Sequence, residues 1–281
     1  MEPLVFGAVL AAAALHAGWN AVVKVGLDRF SSVMLLSMVQ SGLALVLLPF
    51  FALPAGPAWG WIAVSALLHS GYKIFLIAAY EHGDLSQVYP LARGTAPLVV
   101  AVVGALALGE AVTAVKAAAV GAIGLGVVLM SLKGGAGFGA IAPKALLYAL
   151  GTAAFTAAYT LVDGVGARLS GSASGFTLAM FVGDGLGMLA YGAARRGPDA
   201  LRQLLPAWRS GLTAGAMSLG SYWVAIWAFT QAPLALVAAL RETSVLFAML
   251  IAVVFLKEEA GPWRWAAAAL IGAGVMLMRV G

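Results

Sequence analysis

The amino-acid sequence predicts an all-α membrane protein: ten transmembrane helices, built as two five-helix repeats of opposite topology around a central cavity. Three observations carry that expectation. The 281 residues are 63% hydrophobic and only 10% charged, with a mean hydropathy of +1.00, whereas soluble domains carry about 25% charged residues. The apolar residues fall into ten blocks, each near the ~20 residues a helix needs to cross the hydrocarbon layer. The second half of the chain also repeats the first in register, polar positions included.

The blocks cover 3–23, 33–53, 59–80, 85–108, 112–132, 145–165, 175–194, 210–230, 234–256 and 263–280. None shows the ~10-residue alternation of a membrane barrel strand. The first block lacks the basic leader of a signal peptide, with only Glu2 ahead of it, and reads as a retained span. Breaks such as Leu53-Pro-Ala-Gly-Pro57 carry turn chemistry. The glycine-rich stretch 133–143 divides a first repeat, 1–132, from a second, 144–281.

Charge orients the spans. Lys24, Arg29, Lys133, Lys144, Arg195, Arg196, Arg202, Arg209, Lys257 and Arg264 flank the odd-numbered connections, against Lys116, Arg168 and Arg279 on the other side. Basic residues concentrate on the cytoplasmic side of membrane proteins. Both termini are therefore expected outside the cytoplasm, in the periplasm if the membrane is a bacterial inner membrane. Five spans per repeat is odd, so the second repeat must cross in the opposite sense, an arrangement common among secondary transporters. The basic residues behind a pI of about 9.6 are thus a matter of topology, and no nucleic-acid partner is expected.

The repeat is clearest where Leu85, Val88 and Leu91 fall on Leu234, Val237 and Leu240, and Arg93 falls on Glu242, all at an offset of 149. Gly71 then matches Gly220, Ile77 matches Ile226 and Glu110 matches Glu259; after a one-residue slip, Gly124-Leu-Gly126 matches Gly272-Ala-Gly274. Equivalent positions of an inverted repeat lie on opposite sides of a pseudo-two-fold axis near the bilayer midplane, so Arg93 and Glu242, if both face it, can approach each other or grip opposite ends of one solute.

Tyr80-x-x-Gly-Asp-Leu-Ser-x-Val-Tyr-Pro-Leu91, followed by Ala96-Pro97 and Leu108-Gly-Glu110, resembles the fourth span and following turn of the EamA-type repeats of the drug/metabolite transporter superfamily. Leu15-His-Ala-Gly-Trp-Asn20 with Lys24 is similar to the first span of some members, a few of them associated with phosphonate utilisation. The second half departs from the pattern, with Lys257-Glu-Glu259 in place of Leu-Gly-Glu and no Tyr-Pro at Ala238-Ala239. The resemblance implies ten helices around a cavity formed chiefly by spans one, three, four, six, eight and nine. It also implies alternating access without nucleotide hydrolysis.

Ionisable side chains at membrane depth cost about 2.5–3.5 kcal/mol each on insertion scales and mark functional sites. Lys73, Arg93, Asp184, Arg241 and Glu242 lie at such depth, a formal balance of +1. Arg93 offers a planar donor fork suited to a carboxylate or phosphonate, and Glu242 could hold an amine or carry a proton. The alternative is a structural ion pair locking the halves. His16, Trp19 and Asn20 form one helical stripe, and Tyr89 shares a face with Arg93, beside a helix that Pro90 should loosen. The sixth span carries the stripe Tyr148, Thr152, Phe155, Thr156 and Tyr159, while Tyr222, Trp223 and Trp227 of the eighth span offer candidates of which two could form an aromatic wall. Packing is the equal alternative for each of these, being the ordinary fate of aromatics and small polar residues in bundles.

Asp184 and Glu242 are the candidate coupling groups, with a proton as the candidate ion; Glu110 and Glu259 read as helix N-terminal charges. The absence of cysteine excludes disulfides, a thiol nucleophile and thiolate metal sites. There is no phosphate-binding loop and no metal-ligand spacing, so neither enzymatic activity nor a cofactor or metal is expected. The reading is a secondary transporter of a small polar metabolite, an amino acid or another anionic or zwitterionic solute such as a phosphonate. Its partners are that solute and the lipid bilayer, and it acts as a monomer or homodimer. Two other readings stay open: a proton-coupled exporter of cationic drugs or amines, and a non-transporting membrane scaffold or lipid-handling protein.

Overall fold

The computed structural model describes residues 1–23, 27–82, 85–110, 113–132, 142–254, 257 and 260–280, with backbone alone at 21, 23, 85–92, 131, 132, 198 and 200. Its helices are α1 (Pro3–Val23), α2 (Arg29–Leu47), α3 (Ala58–His82), α4 (Leu85–Ala107), α5 (Ala114–Leu132), α6 (Pro143–Leu169), α7 (Ala173–Arg196), α8 (Trp208–Gln231), α9 (Leu234–Arg241), α10 (Ser244–Val254) and α11 (Pro262–Val280). Short 3-10 turns cover Leu48–Phe50 and Pro198–Ala207. No strand occurs among the described residues. Eight helical runs, counting α9 and α10 as one, are long and apolar enough to cross a membrane; α4 and α5 add the shorter apolar stretches Arg93–Ala107 and Ala114–Met130. Residues 133–141 of the predicted linker, together with Lys24, Glu259 and the side chain of Tyr89, lie outside the described residues.

Local chemistry sets the helix ends. Asp28 and Ser172 accept backbone N–H bonds from Ser31 and Gly175 and so cap α2 and α7, satisfying donors that a helix start leaves open. Pro143 opens α6, where its missing N–H costs nothing. Gly197 closes α7 at φ 78°, a conformation that costs a side chain dearly and glycine little.

One expected span is broken. α9 stops at Arg241, Glu242 and Thr243 form a turn, and α10 starts at Ser244. There the backbone closes tighter bonds, Glu242 N to Ala239 O at 3.0 Å and Thr243 N to Leu240 O at 3.2 Å. The Thr243 hydroxyl donates to the same Leu240 carbonyl at 2.7 Å, competing with the helical ladder. The weak point expected at Pro90 is absent, because α4 runs through it as one helix.

The inverted repeat is visible in the packing of α5 on α11. A Cβ on Gly126 would sit 3.1 Å from the Ala267 carbonyl oxygen, and one on Gly274 would sit 2.9 Å from that of Ala119. Gly126 and Gly274, like Ala119 and Ala267, are equivalent positions, so the contact is self-complementary in the manner of a two-fold interface. Small residues let helices approach where lipid supplies no hydrophobic drive between them.

Contacts also sort the two ends of the bundle. At one end Arg279 lies over the Phe6 ring at 5.7 Å, Ala55 N bonds Ser170 O at 2.9 Å, and Arg168 meets Glu110 at 3.0 Å. This end gathers both termini and the even-numbered connections. At the other, Arg196 grips Asp28 at 2.8 and 3.1 Å and Arg195 binds Glu81 at 3.0 Å. The Arg196 guanidinium holds the Asp28 carboxyl far below the usual carboxylate range.

Candidate functional site: a cation-lined cavity between the halves

A central cavity of about 90 Å³, measured as space open to the centre of a water molecule, lies between the repeats. At ~10–15 Å³ per water on that measure, it has room for roughly six to nine waters, the scale of a small metabolite. His16 and Trp19 of α1, Gln40 of α2, His69 and Lys73 of α3, Arg93 of α4, Tyr159 of α6, Phe181 of α7, Tyr222 of α8 and Arg241 of α9 all face it. Its wall therefore draws on α2 and α7 as well as the six spans expected. It extends from mid-bundle toward the odd-numbered connections, where Ser32 and Val33 line it. A second space, with room for one water, lies on the far side of Arg93, Tyr159 and Arg241 and is lined by Pro97, Ala238 and Glu242.

Of the two arrangements the repeat register allows, Arg93 and Glu242 adopt the direct pair. The guanidinium donates through Nε to Oε2 and through Nη2 to Oε1, both at 3.0 Å. Both residues are buried, and a two-point fork of this kind is the strongest geometry an ion pair offers. The turn after α9 delivers Glu242 to this position.

Lys73 forms a second buried pair. Its ammonium binds the Asp184 carboxylate and reaches Gln40 Oε1 at 3.4 Å, while Ser70 donates to Asp184 Oδ1 at 3.2 Å. Gln40 of α2 and Asp184 of α7 thus converge on one ammonium. Asp184 is fully buried.

A third centre is one the sequence reading missed. Asp163 is fully buried. It accepts bonds from the hydroxyls of Ser65 and Tyr222 and from His69 Nε2, the last at 3.0 Å. His69 is stacked on Tyr159, ring centroids 4.1 Å apart. Asp163 lies one turn beyond Tyr159 on the polar stripe of the sixth span, and extending that stripe by four residues would have found it. With Asp163 counted, Lys73, Arg93 and Arg241 face three carboxylates, and the formal +1 expected for the bundle becomes zero.

Of the three aromatics expected of the eighth span, one takes part in the cavity wall. Tyr222 faces the cavity, whereas Trp223 donates its indole N–H to Ser174 Oγ at 2.9 Å and lies edge-on to Phe51, 4.9 Å away. Neither Trp223 nor Trp227 lines the described cavity walls. One position on a helix turns a side chain by ~100°, so the facing residue depends on neighbours a sequence does not reveal. Asn20 spends its amide on the His16 carbonyl at 2.8 Å. Glu110 does serve a helix N-terminus, but that of α9 in the other half: it accepts the Leu234 N–H at 2.9 and 3.1 Å.

A bundle of membrane-crossing helices in two inverted halves, with ionised groups turned toward an enclosed space, is the build of a membrane transporter. The model of the EamA-like transporter family matches residues 4–132 and again 143–280, and the chain belongs to that family. No curated protein sequence matches it. A solved structure described only as "Crystal structure of protein" is similar in fold, with a TM-score of 0.73 at 16% identity over 99% of this chain and 96% of that one.

Proposed function

We propose that this chain is a secondary transporter moving a small anionic or zwitterionic solute, such as an amino acid or a phosphonate, across a bacterial inner membrane by alternating access. The observation that carries the reading is the sign of the cavity wall. Lys73, Arg93 and Arg241 face the main space and, among the described residues, no aspartate or glutamate does; the carboxylates sit behind, bound to internal partners. A wall of donors and cations suits an acid group. The tyrosine faces and the zero formal balance of the bundle suit a solute whose own amine cancels that acid. Alternating access is supported by the asymmetry of the ends, since the cavity leads toward one while backbone-bound Arg168 and Glu110 close the other.

Counterflow in proteoliposomes tests the reading. Vesicles preloaded with amino acids or methylphosphonate are expected to accumulate the labelled solute from outside. Uptake confined to quaternary amines would establish the cationic exporter instead, and no counterflow of any solute would leave a scaffold.

A further inference from the structure

We infer that Arg241 and His16 together form the subsite for the acid group of the transported solute, with Arg93 serving as the lock behind it. The inference rests on the transport reading for its biological role, and on three features of the cavity for its chemistry.

The first is an unanswered charge. Arg241 is buried at 8% exposure and lines both the main cavity and the small space beyond it. Its guanidinium lies 4.7 Å above the Tyr222 ring, and among the described residues no carboxylate is bonded to it. Every buried carboxylate near it is already taken: Glu242 by Arg93, Asp184 by Lys73 and Ser70, Asp163 by Ser65, His69 and Tyr222. A buried guanidinium without an anionic partner is costly, and stacking on one ring recovers only part of that.

The second is an unanswered donor. Trp19 Nε1 donates to His16 Nδ1 at 3.3 Å. Nδ1 therefore bears the lone pair and the ring proton sits on Nε2. That Nε2 is buried and has no hydrogen-bond partner, which ordinarily costs about 1–3 kcal/mol. His16 lines the same cavity as Arg241 and lies within the electrostatic reach of Arg93 and Arg241.

The third is position. Arg241 ends α9, directly before the turn at Glu242 and Thr243. A side chain at a helix break moves with the break, so an anion bound there acts on a span that is discontinuous between α9 and α10. The guanidinium fork and the single imidazole N–H give three donors for two oxygens. That fits a carboxylate or a singly ionised phosphonate and offers nothing to a quaternary amine.

The test uses the full chain in lipid nanodiscs, with acetate, methylphosphonate and tetramethylammonium as probes. The chain has three histidines, so nitrogen-15 histidine NMR of the wild type resolves His16 from His82, which is bonded to its own helix carbonyl. Either anion should shift the His16 Nε2 signal saturably and leave His82 unmoved, while tetramethylammonium moves neither. In thermal-shift titrations Arg241→Gln should weaken anion binding at least tenfold and His16→Ala roughly three- to tenfold. Arg279→Gln, on the ring of Phe6 outside the cavity, should change nothing. A folded wild type that binds neither anion, or anion affinity unchanged in Arg241→Gln, overturns the subsite. The wild-type spectrum decides the matter even if Arg241→Gln fails to fold. Saturable anion binding without counterflow of any solute would remove the transport reading and leave the subsite. Unaltered counterflow in Arg241→Gln would do the reverse.

Discussion

Truncating Arg168 should unlatch one end of the bundle. Its guanidinium donates to Phe229 O at 2.9 Å, to Ala232 O at 3.1 Å and to Glu110 at 3.0 Å. It thereby ties the end of α6 to the turn before α9 and to the carboxylate that caps α9. A net hydrogen bond contributes about 0.5–1.5 kcal/mol. Arg168 is 37% exposed, so the lower part of that range applies, and three bonds sum to about 2 kcal/mol. That corresponds to roughly a thirtyfold rise in the population open at this end. The chain has no cysteine, so Ala238→Cys, in the small space beyond Arg241, is a reporter without background. An impermeant thiol reagent supplied from the side of the even-numbered connections should label it about thirty times faster in Arg168→Ala. An unchanged rate in a folded variant would refute the latch. So would an equal acceleration by Arg195→Ala, which acts at the opposite end.

Other perturbations separate structure from transport. Gly274→Ala drives a methyl against the Ala119 carbonyl, whereas Gly272→Ala on the same helix meets open space; thermal unfolding should show a loss of about 1–3 kcal/mol for the first and little for the second. Arg93→Ala leaves the buried Glu242 charge unanswered and should cost about 3–5 kcal/mol, with the double variant Arg93→Met, Glu242→Met recovering part of it in the same assay. Asp28 is depressed by Arg196, so its contribution is present above the ordinary carboxylate value of about 3.9 and is lost as pH falls below it. A melting-temperature profile should therefore drop less steeply below pH ~4 in Asp28→Asn than in the wild type.

The spans and their inversion were legible in the sequence, because ~20-residue apolar blocks and a constant offset survive without coordinates. The same offset placed Arg93 and Glu242 on opposite sides of the axis, but whether they bond each other or a solute was not legible from it. What escaped needed a helix phase or a partner. Asp163 sits close to the expected end of its span, where a charge passes for a boundary residue. Whether Tyr222 or Trp223 faces inward depends on how α8 packs on α1 and α6. Glu110 was rightly placed at a helix start, but the helix it caps is 124 residues away, a relation no local pattern encodes. The break after Arg241 falls at a threonine whose hydroxyl bonds the Leu240 carbonyl, whereas the proline of the matching span left its helix whole.

The distribution of charge shows how such a bundle is held and where it can part. Arg93–Glu242, Lys73–Asp184, His69–Asp163, Glu110–Arg168, Glu81–Arg195 and Asp28–Arg196 each join a residue of the first half to one of the second. Apolar faces in lipid supply little drive for one helix pairing over another, so polar pairs carry the register between the halves. They are not equal in strength. The pairs at the odd-numbered connections are exposed to solvent and contribute little each. The opposite pair is backed by a helix N-terminus and two backbone carbonyls. The end with the weaker clasp is also the end toward which the cavity leads. Opening the other requires Glu110 to leave the α9 N-terminus, and α9 is the helix that carries Arg241 and ends at the break. On the proposed subsite, an anion held by Arg241 would act on the same short helix that the Arg168–Glu110 contact restrains.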